Sequence, residues 1–129
     1  MSDTKRWTIN SGSRFEELAG YSRAVIEGNG IFVSGTAGFN FEDGSISDDA
    51  AEQARQALRT IEATLEKAGA AMSDIVRVRV YLSNREDVVA VSKVLGKTFS
   101  DPRPTNTTII CGFAEEVMKV ELEVTALKQ

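Results

Sequence analysis

Apolar residues recur every three or four positions over two stretches of the chain, and every second position over several others. Between residues 50 and 68, Ala54, Leu58, Ile61, Leu65 and Ala68 fall on one side of a helix. Ser47, Asp48 and Asp49 precede it with capping oxygens, and Glu52 places negative charge in its first turn. Gly69 suits the left-handed position just past its end. A second helix is predicted over residues 85–99, with Val88, Val91, Leu95 and Phe99 as its stripe. Asn84 is its expected cap, and Asp101-Pro102 its stop.

The remaining pattern is that of strands. Val76, Val78, Val80 and Leu82 alternate with Arg77, Arg79 and Tyr81. Met118, Val120, Leu122, Val124 and Ala126 alternate with Lys119, Glu121, Glu123 and Thr125. Residues 22–27 and 31–34 flank Gly28-Asn29-Gly30, a hairpin signal, and residues 107–111 form a further strand. The order predicts an α+β sheet with both helices on one face. Its other face then carries Arg77, Arg79, Glu121 and Glu123 beside Tyr81. Such a face is either wet or packed against further copies of the chain, whose clefts would offer small-molecule sites.

Composition narrows the chemistry. The 129 residues, with no repeat and no Ser/Gly linker, read as a single domain spanning 1–129. With no histidine, Ser-His-Asp and Cys-His triads are excluded, and one cysteine cannot complete a zinc site, so no metal is expected. The lone Cys111 fits a reducing, cytoplasmic setting and reads as a small packing residue. No apolar run is long enough to span a membrane, and residues 1–8 lack the apolar stretch of a leader. A net charge of -4 argues against nucleic acid as a partner.

Short motifs carry little. Gly96-Lys97-Thr98 ends like a phosphate loop but sits late in a helix, with Val91 where a glycine belongs. Val33 likewise replaces the third glycine of a dinucleotide fingerprint begun by Gly28 and Gly30. Asn106-Thr107-Thr108 is a sequon without a secretory context. Glu121 and Glu123 point to the same side of the last strand. They either pair across strands with Arg77 and Arg79, or one is partly desolvated and serves as an acid or base near neutral pH.

Several segments together resemble the reactive-intermediate deaminase family, also called RidA, YjgF or L-PSP. They are Tyr21-Ser22-Arg23-Ala24-Val25, Ile31-Phe32-Val33-Ser34-Gly35, Ala51-Glu52-Gln53-Ala54-Arg55-Gln56-Ala57-Leu58, and Arg103-Pro104 through Val120-Glu121-Leu122-Glu123-Val124. The resemblance implies a chorismate mutase-like fold, a mixed sheet of roughly six strands backed by two helices. It implies homotrimers with clefts between subunits, and hydrolysis of enamines and imines to a carbonyl compound and ammonia without metal or cofactor. It assigns Glu121 to the catalytic water, and Tyr21, Ser34, Gly35 and Thr108 to the cleft wall. Active members carry a carboxylate-gripping arginine two residues after the signature proline; here that position is Asn106. A lost charged hydrogen bond is worth roughly 1.5–3 kcal/mol, or about ten- to hundred-fold in affinity. The expected substrate is therefore shifted away from ordinary 2-imino acids, with Arg23 or Arg103 as other anion contacts. On an extended strand Arg103 would face away from Asn106, unless Pro104 breaks the alternation. Arg23 is expected to share a strand face with Tyr21 and Val25. A trimer that binds a metabolite without chemistry is the alternative reading. An endoribonuclease or translation inhibitor is a third, opposed by the charge and the missing histidine.

Overall fold

The computed structural model describes residues 5–129; residues 1–4, the head of the stretch read for a leader, lie outside the described residues. The elements run β1 (Trp7–Ile9), α1 (Arg14–Ala19), β2 (Ala24–Glu27), β3 (Gly30–Ala37), α2 (Ala50–Lys67), β4 (Ile75–Leu82), α3 (Val88–Thr98), β5 (Thr105–Ile110) and β6 (Val120–Leu127). Six strands form one mixed sheet in the order β1-β2-β3-β6-β4-β5. Only β4 and β5 run parallel, as a strand–helix–strand crossover through α3 requires.

The long helices α2 and α3 pack side by side on one face, as the pattern predicts. The Asp49 carboxylate accepts from the Glu52 amide at 3.0 Å, and Gly69 takes φ +80° just past the helix end. α3 begins later than predicted because a 3₁₀ turn, Arg85–Asp87, precedes it; the Asn84 amide bonds the Ser83 hydroxyl rather than capping the helix. The hairpin at Gly28-Asn29 is a two-residue turn with φ +61° at Gly28 and no positive φ at Asn29, the type II′ pattern. Two elements were not predicted, β1 and α1. Both are too short for periodicity to register. Ser13, whose hydroxyl accepts from Phe15 N, and Gly20, at φ +74°, were the signals that bound α1. No helix among the described residues is long and apolar enough to cross a membrane.

β6 lies at the centre, hydrogen-bonded to β3 on one side and β4 on the other. Val120, Leu122, Val124 and Ala126 point into the core beneath the helices, together with Val78, Val80 and Leu82 of β4. Each valine and leucine among them contributes about 1.5–3 kcal/mol by leaving water, and the alanine less. Alternation then forces Glu121, Glu123 and Thr125 onto the opposite face.

One buried polar side chain ties the layers together. Gln53, in the first turns of α2, has no solvent exposure. Its Nε2 donates to the carbonyls of Ser47 at 2.7 Å and Val117 at 2.9 Å, and its Oε1 accepts from the amides of Lys119 at 2.8 Å and Val120 at 3.3 Å. The amide thus anchors the entry to β6 against the helix. Gly38 packs so close that a Cβ there would lie 2.6 Å from the Gln53 Cα. Gln53→Leu keeps the volume but orphans these backbone groups. It should destabilise the protein by about 2–4 kcal/mol, read as a lower urea midpoint with unchanged slope.

Candidate active site

The open face of the sheet sorts its charges by register. Arg79 stands opposite Glu123, with a guanidinium-to-carboxylate distance of 3.5 Å, and the Tyr81 hydroxyl donates to the same carboxylate at 2.9 Å. Donating that bond raises the Tyr81 pKa, because the bond holds the phenol proton. Arg77 bonds the Thr125 hydroxyl at 3.0 Å instead of a glutamate. Cross-strand pairing therefore accounts for Glu123 and leaves Glu121, whose partners in register are Tyr81 and Ala37, without a basic neighbour on either strand.

A bulge in β3 shapes what surrounds Glu121. The register slips between Val33 and Thr36, so Ser34 and Gly35 together oppose the single residue Glu123. Both flanking residues still point into the core, while Ser34 and Gly35 turn toward the open face. The Ser34 hydroxyl donates to the Ser22 carbonyl at 2.6 Å, and the Ser34 carbonyl accepts from the Thr36 hydroxyl at 2.9 Å, which pins the bulge. Gly35 is needed here for room: a Cβ would lie 2.8 Å from both Cδ and Oε2 of Glu121. The carboxylate therefore rests against bare backbone. Its pKa is raised, chiefly by desolvation, with Arg23 opposing and Glu123 adding to the shift.

Arg23 lies just before β2 with only 6% of its surface exposed, and its Nη2 donates to the Gly35 carbonyl at 2.8 Å. Burial lowers its pKa, while Glu16, Tyr21 and Glu121 oppose that effect. A guanidinium keeps its proton throughout the ordinary pH range, so a buried positive charge sits behind the backbone on which Glu121 rests.

The structure gathers Tyr21, Ser34, Gly35 and Glu121 around one crevice of about 330 Å³, together with Tyr81 and Glu123. Asn106 and Thr108 are elsewhere in the same chain. They face the helix side of edge strand β5 and line a groove of about 380 Å³ with Arg103, Leu95 and Phe99. Arg103 shares that groove with Asn106 because β5 starts only at Thr105, so strand alternation does not reach it; its Nε donates to the Phe99 carbonyl at 3.1 Å. Arg23 does not line the crevice, but supports it from behind through Gly35. Sequence reasoning missed Tyr81 as a wall of the crevice. Its place opposite Glu121 depends on the pairing of β4 with β6, which no local pattern encodes.

Desolvation of Glu121 has a thermodynamic consequence. Its folded-state pKa lies above its unfolded value, so the ionised side chain opposes folding above that window, and the penalty vanishes as pH falls below the unfolded pKa. Glu121→Gln should therefore raise Tm at pH 8, with the gain shrinking toward zero as pH falls toward the unfolded pKa, read in thermal scans.

A family model described as Endoribonuclease L-PSP matches residues 11–128. The chain is 33% identical over 110 residues to a RutC family protein of Pyrococcus abyssi, covering 84% of this chain and 87% of that one. It is 30% identical over 113 residues to a 2-iminobutanoate/2-iminopropanoate deaminase of Dermatophagoides farinae, covering 87% of each. Its fold overlays Rv2704 of Mycobacterium tuberculosis, a YjgF/YER057c/UK114 family member, with a TM-score of 0.87 at 36% identity, covering 95% of this chain and 99% of that one.

Proposed function

Because the chain belongs to the Endoribonuclease L-PSP family, the family of the RidA and YjgF proteins, we propose that it hydrolyses a reactive imine or enamine, with Glu121 as the proton-transferring group. The observation that carries this reading is the half-desolvated Glu121 carboxyl, held against Gly35 in a polar crevice and pushed up from the usual carboxylate range. A group with a raised pKa exchanges protons near neutral pH more readily than an ordinary glutamate.

The chemistry is short. An enamine first takes a proton on carbon and becomes an iminium. The Glu121 carboxylate then removes a proton from water as the water oxygen bonds to the iminium carbon, giving a carbinolamine. Glu121 returns that proton to nitrogen. The C–N bond breaks as the hydroxyl oxygen forms the carbonyl, and the hydroxyl proton leaves with the amine, so iminium and water become a carbonyl compound and ammonium. The crevice needs to hold water roughly 3 Å from the carbon, in line with the carboxylate. The Tyr21 and Tyr81 rings and the Ser34 hydroxyl bound the space in which the substrate lies.

The acting unit in this proposal is a homotrimer. The open face exposes Phe32 and Ile109 beside its ion pairs, and every residue of edge strand β5 is exposed. Packing three such faces round a common axis covers these apolar groups and brings the Asn106 edge of one copy toward the Glu121 crevice of the next. Light scattering should read three times the 14.0 kDa of one chain. Asn106 is neutral, so the substrate is one whose binding does not rest on a gripped carboxylate. The lone, half-buried Cys111 supports a reducing cytoplasmic location.

Glu121→Gln should abolish ammonia release from the preferred imine while leaving the trimer intact; retained activity would remove the mechanism. Gly35→Ala should fold with a loss under about 1 kcal/mol, because the atom it meets is the tip of a flexible side chain, yet displace the carboxylate and cut kcat. Asn106→Arg should raise kcat/KM on 2-iminopropanoate by about ten- to hundred-fold by restoring a charged grip. The second reading, a trimer that binds a metabolite without chemistry, is favoured by neutral Asn106. Thermal stabilisation by a metabolite, with no ammonia released from any of a broad imine panel, would select it.

A further inference from the structure

A cavity of about 460 Å³ lies on the helix side of the sheet, away from the Glu121 crevice. One wall is the stripe of α2 that carries Gln56, Thr60, Ala63 and Lys67. The others are the segment leaving β1 at Asn10 and Ser11, and the loop after β3 at Asn40 and Phe41. Its size is that of a small-molecule site. The mechanism above makes no use of it.

We propose that this cavity binds a small organic carboxylate, its head held between the guanidinium of Arg23 and the cationic rim of Arg59 and Lys67, and its hydrocarbon body against Ile9, Phe41 and Ala63. Three cations line the cavity against one carboxylate, that of Glu42. Arg59 donates to the Gln56 side-chain oxygen at 2.9 Å, and neither Arg59 nor Lys67 joins an ion pair among the described residues. Both are solvent-exposed, so they present charge at the mouth.

Arg23 is the unusual member. It is more than nine-tenths buried, yet of its five N–H donors only Nη2 has a partner among the described residues, the Gly35 carbonyl at 2.8 Å. Its Nε is shut away from solvent with no acceptor. The facing acid, Glu16, does not pair with it: the amide and hydroxyl of Ser11 hold both Glu16 oxygens, the amide at 3.0 Å. A buried guanidinium with idle donors is costly unless an anion meets it. An anion in the cavity answers that need with a small local shift of the side chain. The apolar wall, with Phe41 half exposed, favours a carboxylate carrying a hydrocarbon tail over a bare inorganic anion. The site stands whether or not the Glu121 crevice hydrolyses imines, but Arg23 joins the two, because the guanidinium that faces this cavity also holds the Gly35 carbonyl.

The test is an amide-resonance titration of the full-length, isotope-labelled protein with sodium hexanoate, sodium phosphate and sodium chloride at matched ionic strength. Hexanoate should shift Thr60, Ala63, Thr64 and Lys67 saturably, and Gly35 should move with the same midpoint. Arg59→Ala combined with Lys67→Ala alters only exposed helix positions. It should weaken hexanoate at least ten-fold with Tm unchanged. Hexanoate shifts that never saturate, or that match chloride, overturn the proposal, as do shifts unaltered in the double variant. Tighter binding of phosphate than of hexanoate overturns the carboxylate assignment. A Gly35 amide that stays still while the α2 amides saturate removes Arg23 from the site and overturns it as well.

Discussion

The site depends on a carboxylate pressed against a strand that has no side chain where they meet. Gly35 supplies the bare surface, the bulge at Ser34-Gly35 turns it toward the open face, and β6 delivers Glu121 onto it. Take away any of the three and Glu121 becomes an ordinary surface glutamate. Water then solvates its charge and its pKa returns to the common range. The raised pKa thus follows from strand packing and exclusion of solvent, not from an acidic neighbour alone.

This arrangement is stable because the two faces of β6 do different work. The core side buries four aliphatic residues under α2 and α3, and Gln53 fastens the strand's entry through three hydrogen bonds. That fixes the register of the opposite side, where Arg79 and Tyr81 engage Glu123 and not Glu121. Two glutamates two residues apart thus end in different surroundings, one engaged across the strands and the other pressed against bare backbone. Behind them, buried Arg23 limits how far the Glu121 pKa can rise, since its positive charge favours the ionised acid.

Much of this was legible in the sequence. The helix over residues 50–68 was marked by its stripe, its Asp49 cap and Gly69, all local signals. The alternation in β6, and in β4 from Arg77 on, assigned their faces, including the open side of Glu121; Val76 is exposed instead of buried, because the β4–β6 register shifts between Ile75 and Arg77. Of the residues that the family resemblance assigns to the cleft, Tyr21, Ser34, Gly35 and Glu121 meet in one crevice, while Asn106 and Thr108 line a separate groove of the same chain. What escaped was non-local. Which glutamate would be paired depends on the β4–β6 register. The burial of Arg23 depends on the fold of the N-terminal segment, whose elements β1 and α1 are too short to show a period. Arg103 follows the exception left open for it and not strand alternation, because no strand extends through that residue before Thr105.

The central claim concerns one proton, so the most direct measurement is the titration of the Glu121 side-chain carboxyl carbon by NMR, with Glu121→Gln used to assign the resonance. A midpoint clearly above that of a solvent-exposed glutamate, falling back in Gly35→Ala as the carboxylate is pushed into water, is the predicted result. A midpoint at or below the ordinary glutamate value in the unaltered protein would contradict the account.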